Sequence, residues 1–379
     1  MKLWDYDPDT LLPNLPTMVT FPNLDRFYKD WAADLQSKGV EIRLNTSVTA
    51  ILGRSKNGVL LQTAPYNAGK DSQPHSQQPS PTTTETFDEL VLAVLADDAK
   101  RLLGKTATWR ERFVLGGAKF YDDITVTHSD SKYFQQMYET SFNPDLCAQP
   151  TSQAQEDQIA FASKSSPAGS DEPVGYRPMY YTHSYAADPQ KIEMSFDCTN
   201  YQHQFRLAEE TGEAKPEMPY DRHVFQSIFL DKTNGHMWTM DQIDESKVIE
   251  KKWWHQLGHR WQHYVRVVPG MMFINGRNRT WFAGSWTLVV CSALLVLNQP
   301  LSPHPSIPPF TTPLPHPYTL PSLPLYLQNM HELACVSGIA AAYRLGAEYR
   351  AFDDFAEDFF RRYLLVTHGV LYRRGRKVR

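Results

Sequence analysis

Apolar residues recur at helical spacing in FPNLDRFYKDWAADLQSKG, where Leu24, Phe27, Tyr28, Trp31 and Leu35 fall on one face. Asn23 stands where an N-cap belongs and Gly39 where a helix stops, so the pattern predicts an amphipathic helix. The period then changes. VEIRLNTSVTAILGR and GVLLQTA carry alternating and β-branched residues, and they predict two strands joined by a turn at Lys56, Asn57 and Gly58. Residues 64 to 86, rich in Ser, Pro, Gln and Thr, read as a flexible loop. FDELVLAVLADDAKRLLG follows as a buried strand, a short turn and an amphipathic helix.

From about 105 to 280 aromatic and polar residues intermix. DDITVTHSD, KIEMSFDCTN and HVFQSIFL read as strands of an antiparallel sheet interrupted by polar loops. After Arg277 the α/β character returns with a strand, RTWFAG, a helix, HELACVSGIAAAYRLG, and the acidic-aromatic helix DDFAEDFFRRYLL. Two α/β blocks flanking a β-rich one predict a domain built from both ends of the chain with a second domain inserted, a mixed α+β and α/β class.

Composition narrows the function classes. The chain of 379 residues is 41% hydrophobic and 21% charged, as globular proteins are, and a formal charge of -4 gives no electrostatic footprint for nucleic acid. The run RRGRKVR, within a tail expected over 367–379, reads as a solvated end. Cys147, Cys198, Cys291 and Cys335 share no metal-type spacing and read as free thiols in a reducing compartment. MKLWDYDPDTLLPNLP has no charged start and apolar core of a signal peptide, so a cytoplasmic protein that does not enter membranes is expected.

Gly284 ends the strand RTWFAG, where backbone without a Cβ can approach a ligand closely, and the helix that should follow carries small residues at Ala334, Ser337, Gly338 and Ala341. A strand leading through Gly into such a helix places free N–H groups against an anionic or electron-rich group, or serves only to pack helix on strand. With Phe282, Ala283 and Gly284 followed by His331, Glu332, Ser337 and Gly338, the chain resembles the flavin-containing amine oxidoreductase superfamily. The likeness is greatest to its branch of predicted NAD/FAD-binding oxidoreductases. THSDSKYF is similar to that family's His-x-Asp strand, and SFDCTNYQHQF to its Asn-x-x-Gln segment, here Asn200 with Gln202 or Gln204.

The resemblance implies a partial FAD-binding, Rossmann-like domain of the amine-oxidase type over 1–104, 281–288 and 329–366, with a β-rich substrate domain over 105–280. It also implies hydride transfer from a small organic substrate to FAD. Gly284 and Ser285 would lie near the ribityl-phosphate, and His331 and Glu332 at the helix N-terminus facing the pyrimidine side, with Gly338 on the same helix. Val48 would meet the adenine through its backbone, and Ala93 and Val94 would line the dinucleotide cleft. Trp286 stands where amine oxidases commonly have Glu for a ribityl hydroxyl. Lys119 corresponds either to the lysine that holds a water near the flavin or to a solvated surface residue. His128 and Asp130 either touch substrate or flavin, or form a local hydrogen-bonded pair. His255, His259 and His263 recur at i, i+4 and i+8, which predicts one helical face, yet no carboxylate stands at motif spacing and no metal is assigned.

Two features depart from the family. No G-x-G-x-x-G occurs in the sequence, so the chain is expected to be the later part of a longer protein and to bind FAD weakly or not at all. The segment from Val290 to Gln328, within a Pro-rich insert over 289–328, separates TWFAGSWTLV from NMHELACVSG. It reads as a transmembrane segment, a polyproline interaction arm or a retained intron. Its pyrimidine-coded composition and the family spacing restored by its removal favour the last. The competing function is a non-catalytic flavoprotein fragment acting through its Pro-rich arm.

Overall fold

A computed structural model describes residues 23–66, 81–146, 149–163, 180–206, 215–216, 218–258, 260–287 and 330–373. The Pro-rich insert and His259 lie outside the described residues. In chain order the principal elements are α1 (Leu24–Ser37), β1 (Thr46–Ser55), β2 (Gly58–Pro65), β3 (Thr83–Phe87), β4 (Leu90–Leu92), α2 (Ala96–Leu103) and α3 (Trp109–Leu115). They continue as β5 (Lys119–His128), α4 (Ser131–Met137), α5 (Gln153–Ala162), β6 (Tyr180–Tyr185), β7 (Asp188–Asp197), β8 (Phe225–Phe229), β9 (Val248–Gly258), β10 (Thr280–Phe282), α6 (Met330–Arg344) and α7 (Asp354–His368). Two compact units result among the described residues: one from 43–119 and 258–373, the other from 23–42 and 120–257.

In the first unit β1, β2 and β3 form an antiparallel meander, and β4 pairs with β10 in parallel. The β1–β2 turn closes Ser55 onto Gly58, whose φ of 137° suits a residue without a Cβ. β3 occupies part of the stretch read from composition as a flexible loop; its Thr residues pair with β2, and a Ser/Thr-rich segment becomes a strand when its neighbour supplies a ladder. α3 begins with a capping box, in which Thr108 accepts the Glu111 N–H at 3.2 Å and Glu111 accepts the Thr108 N–H at 2.7 Å. α6 and α7 enclose a cluster of Val268, Leu333, Ala340, Tyr343, Phe360, Tyr363, Leu364 and Tyr372.

Two expected boundaries shift. The β-rich unit is narrower than 105–280, because α3 belongs to the first unit through the buried Arg54–Glu111 ion pair, and Gly270 packs directly on Val114. The tail expected from residue 367 begins later: α7 runs to His368, Gly369 ends it at φ 65°, and Tyr372 is buried.

The second unit is a five-stranded sheet in the order β6-β7-β8-β5-β9. Its core is Ile124, Val126, Tyr133, Phe134, Tyr138, Tyr181, Phe225, Phe229 and Ile243. α1 has the predicted cap, with Asn23 Oδ1 accepting the Arg26 N–H at 2.9 Å, but none of its residues is buried. The predicted face of three histidines does not form. β9 is a strand through Gly258, so His255 is on a sheet while His263 is buried at the start of a π-helical turn, and no group of three metal-ligating side chains occurs among the described residues. No helix among the described residues is long and apolar enough to cross a membrane.

Candidate functional site

The carboxyl ends of the parallel pair gather most of the residues singled out for a cofactor. Leu90, Val91 and Leu92 stand opposite Thr280, Trp281 and Phe282, and the Ala283 N–H extends the ladder to the Leu92 carbonyl at 3.0 Å. Ala93 and Val94 follow one strand end, Gly284 and Ser285 the other. Gly284 has φ 138°, and a Cβ there would lie 2.9 Å from Trp286 Nε1. Glycine is therefore required twice, by conformation and by the indole beneath it.

Hydrogen bonds fasten this strand end to α6 and α7. The Gly284 N–H donates to Ser337 Oγ at 2.7 Å, and the Ser337 hydroxyl donates to the Ala334 carbonyl at 2.7 Å. Thr287 donates to the Gly284 carbonyl at 2.8 Å, so its oxygen accepts from the Tyr363 hydroxyl, also at 2.8 Å. Burial pushes the Tyr363 phenol up to about 12.

Trp286 departs from its expected place. It is 1% exposed, and its only donor goes to the Val94 carbonyl at 2.9 Å. The indole ties the two strand ends together from inside and offers nothing to a ribityl chain. Ser337 and the Gly284 N–H are likewise engaged with each other.

Several small or apolar residues remain open here among those described. Ala93 and Val94 are exposed, Ser285 is half-buried, and a Cβ on Gly338 would meet nothing within 4 Å. Ala334, Cys335 and Ile339 around Gly338 are also exposed. These residues fit the edge of a flat, largely apolar group, with backbone and one hydroxyl as its polar partners. His331 and Glu332 lie in the first turn of α6, and their side chains fall outside the described residues. Val48 is exposed on β1, paired with Thr63.

Of the three catalytic candidates, His128 and Asp130 are enclosed in the second unit and Lys119 is not. Lys119 is exposed at the start of β5. His128 is fully buried and Asp130 nearly so. His128 Nδ1 accepts the backbone N–H of Asp130 at 3.2 Å, which puts the ring proton on Nε2, 3.0 Å from Ser227 Oγ. Ser227 is 2.6 Å from Ser195, Ser195 donates to Tyr138 at 2.8 Å, and Tyr138 donates to Glu193 Oε1 at 3.3 Å. Since Ser195 gives its proton to Tyr138, Ser227 must donate to Ser195, and every bond in the chain points toward Glu193.

Glu193 is completely buried and is the sink of this network. It also accepts from the Thr239 hydroxyl at 2.5 Å, the Thr239 N–H at 3.3 Å and Tyr185 at 2.8 Å. Burial lowers His128 to about 4 despite the pull of Asp130, so the imidazole is neutral near pH 7. Burial alone would raise Asp130, but the Asp244 and Tyr133 N–H groups and Lys247 outweigh it and hold the carboxyl below its ordinary value. Asp130 thus caps α4 and ties it to the Asp244–Lys247 segment. His128 and Asp130, read either as substrate or flavin contacts or as a local hydrogen-bonded pair, are here buried and joined through the Asp130 N–H.

Sequence reasoning missed Glu193, Tyr133, Tyr138, Tyr185 and Thr239. The signal was present in KIEMSFD, where Glu193, Ser195 and Asp197 alternate and are all buried, while Ile192, Met194 and Phe196 are only partly covered. Phasing by hydrophobicity puts that strand the wrong way round.

No family model matches the chain, and no curated protein matches it. Among solved structures it is similar to the crystal structure of CLA-producing fatty acid isomerase from P. acnes, with 16% identity and a TM-score of 0.28. The similarity covers 63% of this chain and 42% of that one, so the chain spans less than half of that protein's length. At that level the likeness establishes no common fold and says nothing of chemistry.

Proposed function

We propose that the chain is a flavin-dependent oxidoreductase of the amine-oxidase type, acting on a small organic substrate. The observation that carries this reading is the convergence of Ala93, Val94, Gly284 and Ser285 at the carboxyl ends of a parallel strand pair, beside a helix left open at Gly338. Open α/β sheets bind their ligands at such strand ends. The flavin, when bound, supplies a two-electron acceptor. Ala93 and Val94 offer backbone groups to it, Ser285 a hydroxyl, and Gly338 the room for a flat ring against α6. Trp286, Ser337 and Thr287 hold those residues in place and take no direct part. None of Ala93, Val94, Ser285 and Gly338 carries a charge for a pyrophosphate and the sequence has no G-x-G-x-x-G, so weak binding is expected.

The test is a titration of FAD into the purified chain, followed by quenching of flavin fluorescence. Saturable quenching supports the reading, and none at any accessible FAD concentration overturns it.

A further inference from the structure

The second unit has a cleft that the flavin reading does not use. It is lined by Asp122 on β5, Trp253, Trp254 and His255 on the edge strand β9, and Lys232, and has a volume of about 310 Å³. That is near the lower end for small-molecule sites, enough for a ligand of one or two rings. Trp253 and Trp254 are 49% and 47% exposed, and as consecutive residues of a strand they face opposite sides of the sheet, so Trp253 is the indole on the side of His255.

The polar groups are held in place. His255 donates through Nδ1 to Asp122 at 2.6 Å across the two strands, and its ring stacks on Phe120 with centroids 5.2 Å apart and planes 17° from parallel. The Lys232 ammonium sits over the Trp253 ring, 5.0 Å from its centroid, and Trp238 backs the same indole at 6.3 Å. The residue set therefore combines aromatic faces with a donor, an acceptor and an imidazole within one ring's reach.

Its charge decides between ligand classes. Lys232 and Asp122 offset each other, so an anion entering the cleft meets a carboxylate and a cation meets an ammonium. A neutral ring whose C–H groups stack on an indole face, and whose hydroxyls both donate and accept, matches every component. We infer that this cleft binds a neutral sugar ring, with the Trp253 indole as platform and Asp122, His255 and Lys232 as hydroxyl partners. The inference is independent of the flavin reading.

Saturation-transfer difference NMR on the full chain tests it, with methyl β-glucoside, methyl α-mannoside, cellobiose and maltose as probes. At least one should give transfer to its ring C–H protons with a dissociation constant in the millimolar range. Trp253→Ala and Asp122→Asn should each weaken it about tenfold. Both positions are exposed, so circular dichroism melts should be little changed; if Trp253→Ala does not fold, Trp253→Phe should fold and bind with partial loss. Absence of transfer with all four sugars, unchanged binding in both variants, or tighter binding of glucose 6-phosphate or glucosamine than of the neutral sugar would each overturn the assignment.

Discussion

Replacing Glu111 by Ala should be among the most damaging single changes in the first unit. The Arg54 and Glu111 side chains are each 1% exposed. Glu111 accepts from Arg54 Nη1 at 2.6 Å, from Arg54 Nη2 at 2.7 Å and from the Thr108 N–H at 2.7 Å. Arg54 also donates to the Thr106 carbonyl at 2.6 Å and to Thr280 Oγ1 at 3.2 Å, so one guanidinium joins β1, the entry to α3 and β10. Removing the carboxylate leaves that guanidinium buried without a counter-charge, which costs about 3 to 5 kcal/mol. Loss of the cap at Thr108 acts in the same direction. At roughly 2 to 4 °C per kcal/mol for a unit of this size, the first unit's melting temperature should fall by about 6 to 20 °C. Differential scanning calorimetry reads this directly.

The paired change Arg54→Met with Glu111→Leu should recover most of the loss, because it removes both charges. The effect also has a pH signature. Burial acts to raise Glu111, but Arg54 and Thr108 outweigh it and its carboxyl is held low in the folded state. The ionised pair therefore contributes fully above the unfolded value of about 4.3, and the contribution disappears as pH falls through the folded value. The gap between wild type and Glu111→Ala should be wide at neutral pH and narrow in acid. A loss of under about 1 kcal/mol at neutral pH, or a double variant no better than the single, would refute the reasoning.

Three further outcomes are expected. Glu193→Gln should destabilise the β-rich unit by about 2 to 4 kcal/mol in urea unfolding, since an amide NH₂ then faces hydroxyl and N–H donors that need an acceptor. His128, lowered to about 4 by burial, should make stability fall as pH drops from its unfolded value of about 6.5 toward 4, because the unfolded imidazole binds the proton first; His128→Gln should flatten that slope in melts across the window. Gly284→Val should cost at least about 2 kcal/mol, through a positive φ and contact with Trp286, whereas Ser129→Ala should be near neutral in the same assay.

Local elements were the legible part of the sequence. Asn23 caps α1, Gly58 closes the β1–β2 turn, and FDELVLAV delivers β4, because these depend on neighbouring residues alone. Long-range pairing hid the rest. β3 forms from a Thr-rich stretch only because β2 lies beside it. β9 overrides a histidine spacing of four residues because WWHQ ladders onto a sheet. α3 leaves the β-rich region because its Glu111 finds Arg54, 57 residues earlier.

The candidate site divides in the same way. The strand end at Gly284 was legible in RTWFAG, whereas Ala93 and Val94 were named only from the resemblance of FDELVLAV to a family strand. Trp286 could not, since nothing in GSW tells whether an indole faces a ligand or the carbonyl of Val94. Glu193 was hidden by the habit of assigning charged strand residues to solvent, which fails where three tyrosines and a threonine supply donors.

Gly338→Leu tests the central claim most directly. No atom lies within 4 Å of a Cβ at that position, and replacing glycine within a helix removes a penalty of roughly 0.5 to 1 kcal/mol, so the variant should melt at or above the wild-type temperature. The same side chain would fill the space assigned to the flat ring of the flavin. In parallel FAD titrations the wild-type chain should quench flavin fluorescence saturably and Gly338→Leu should not. Equal quenching by both proteins, with folding intact, would contradict the placement of the cofactor at these strand ends.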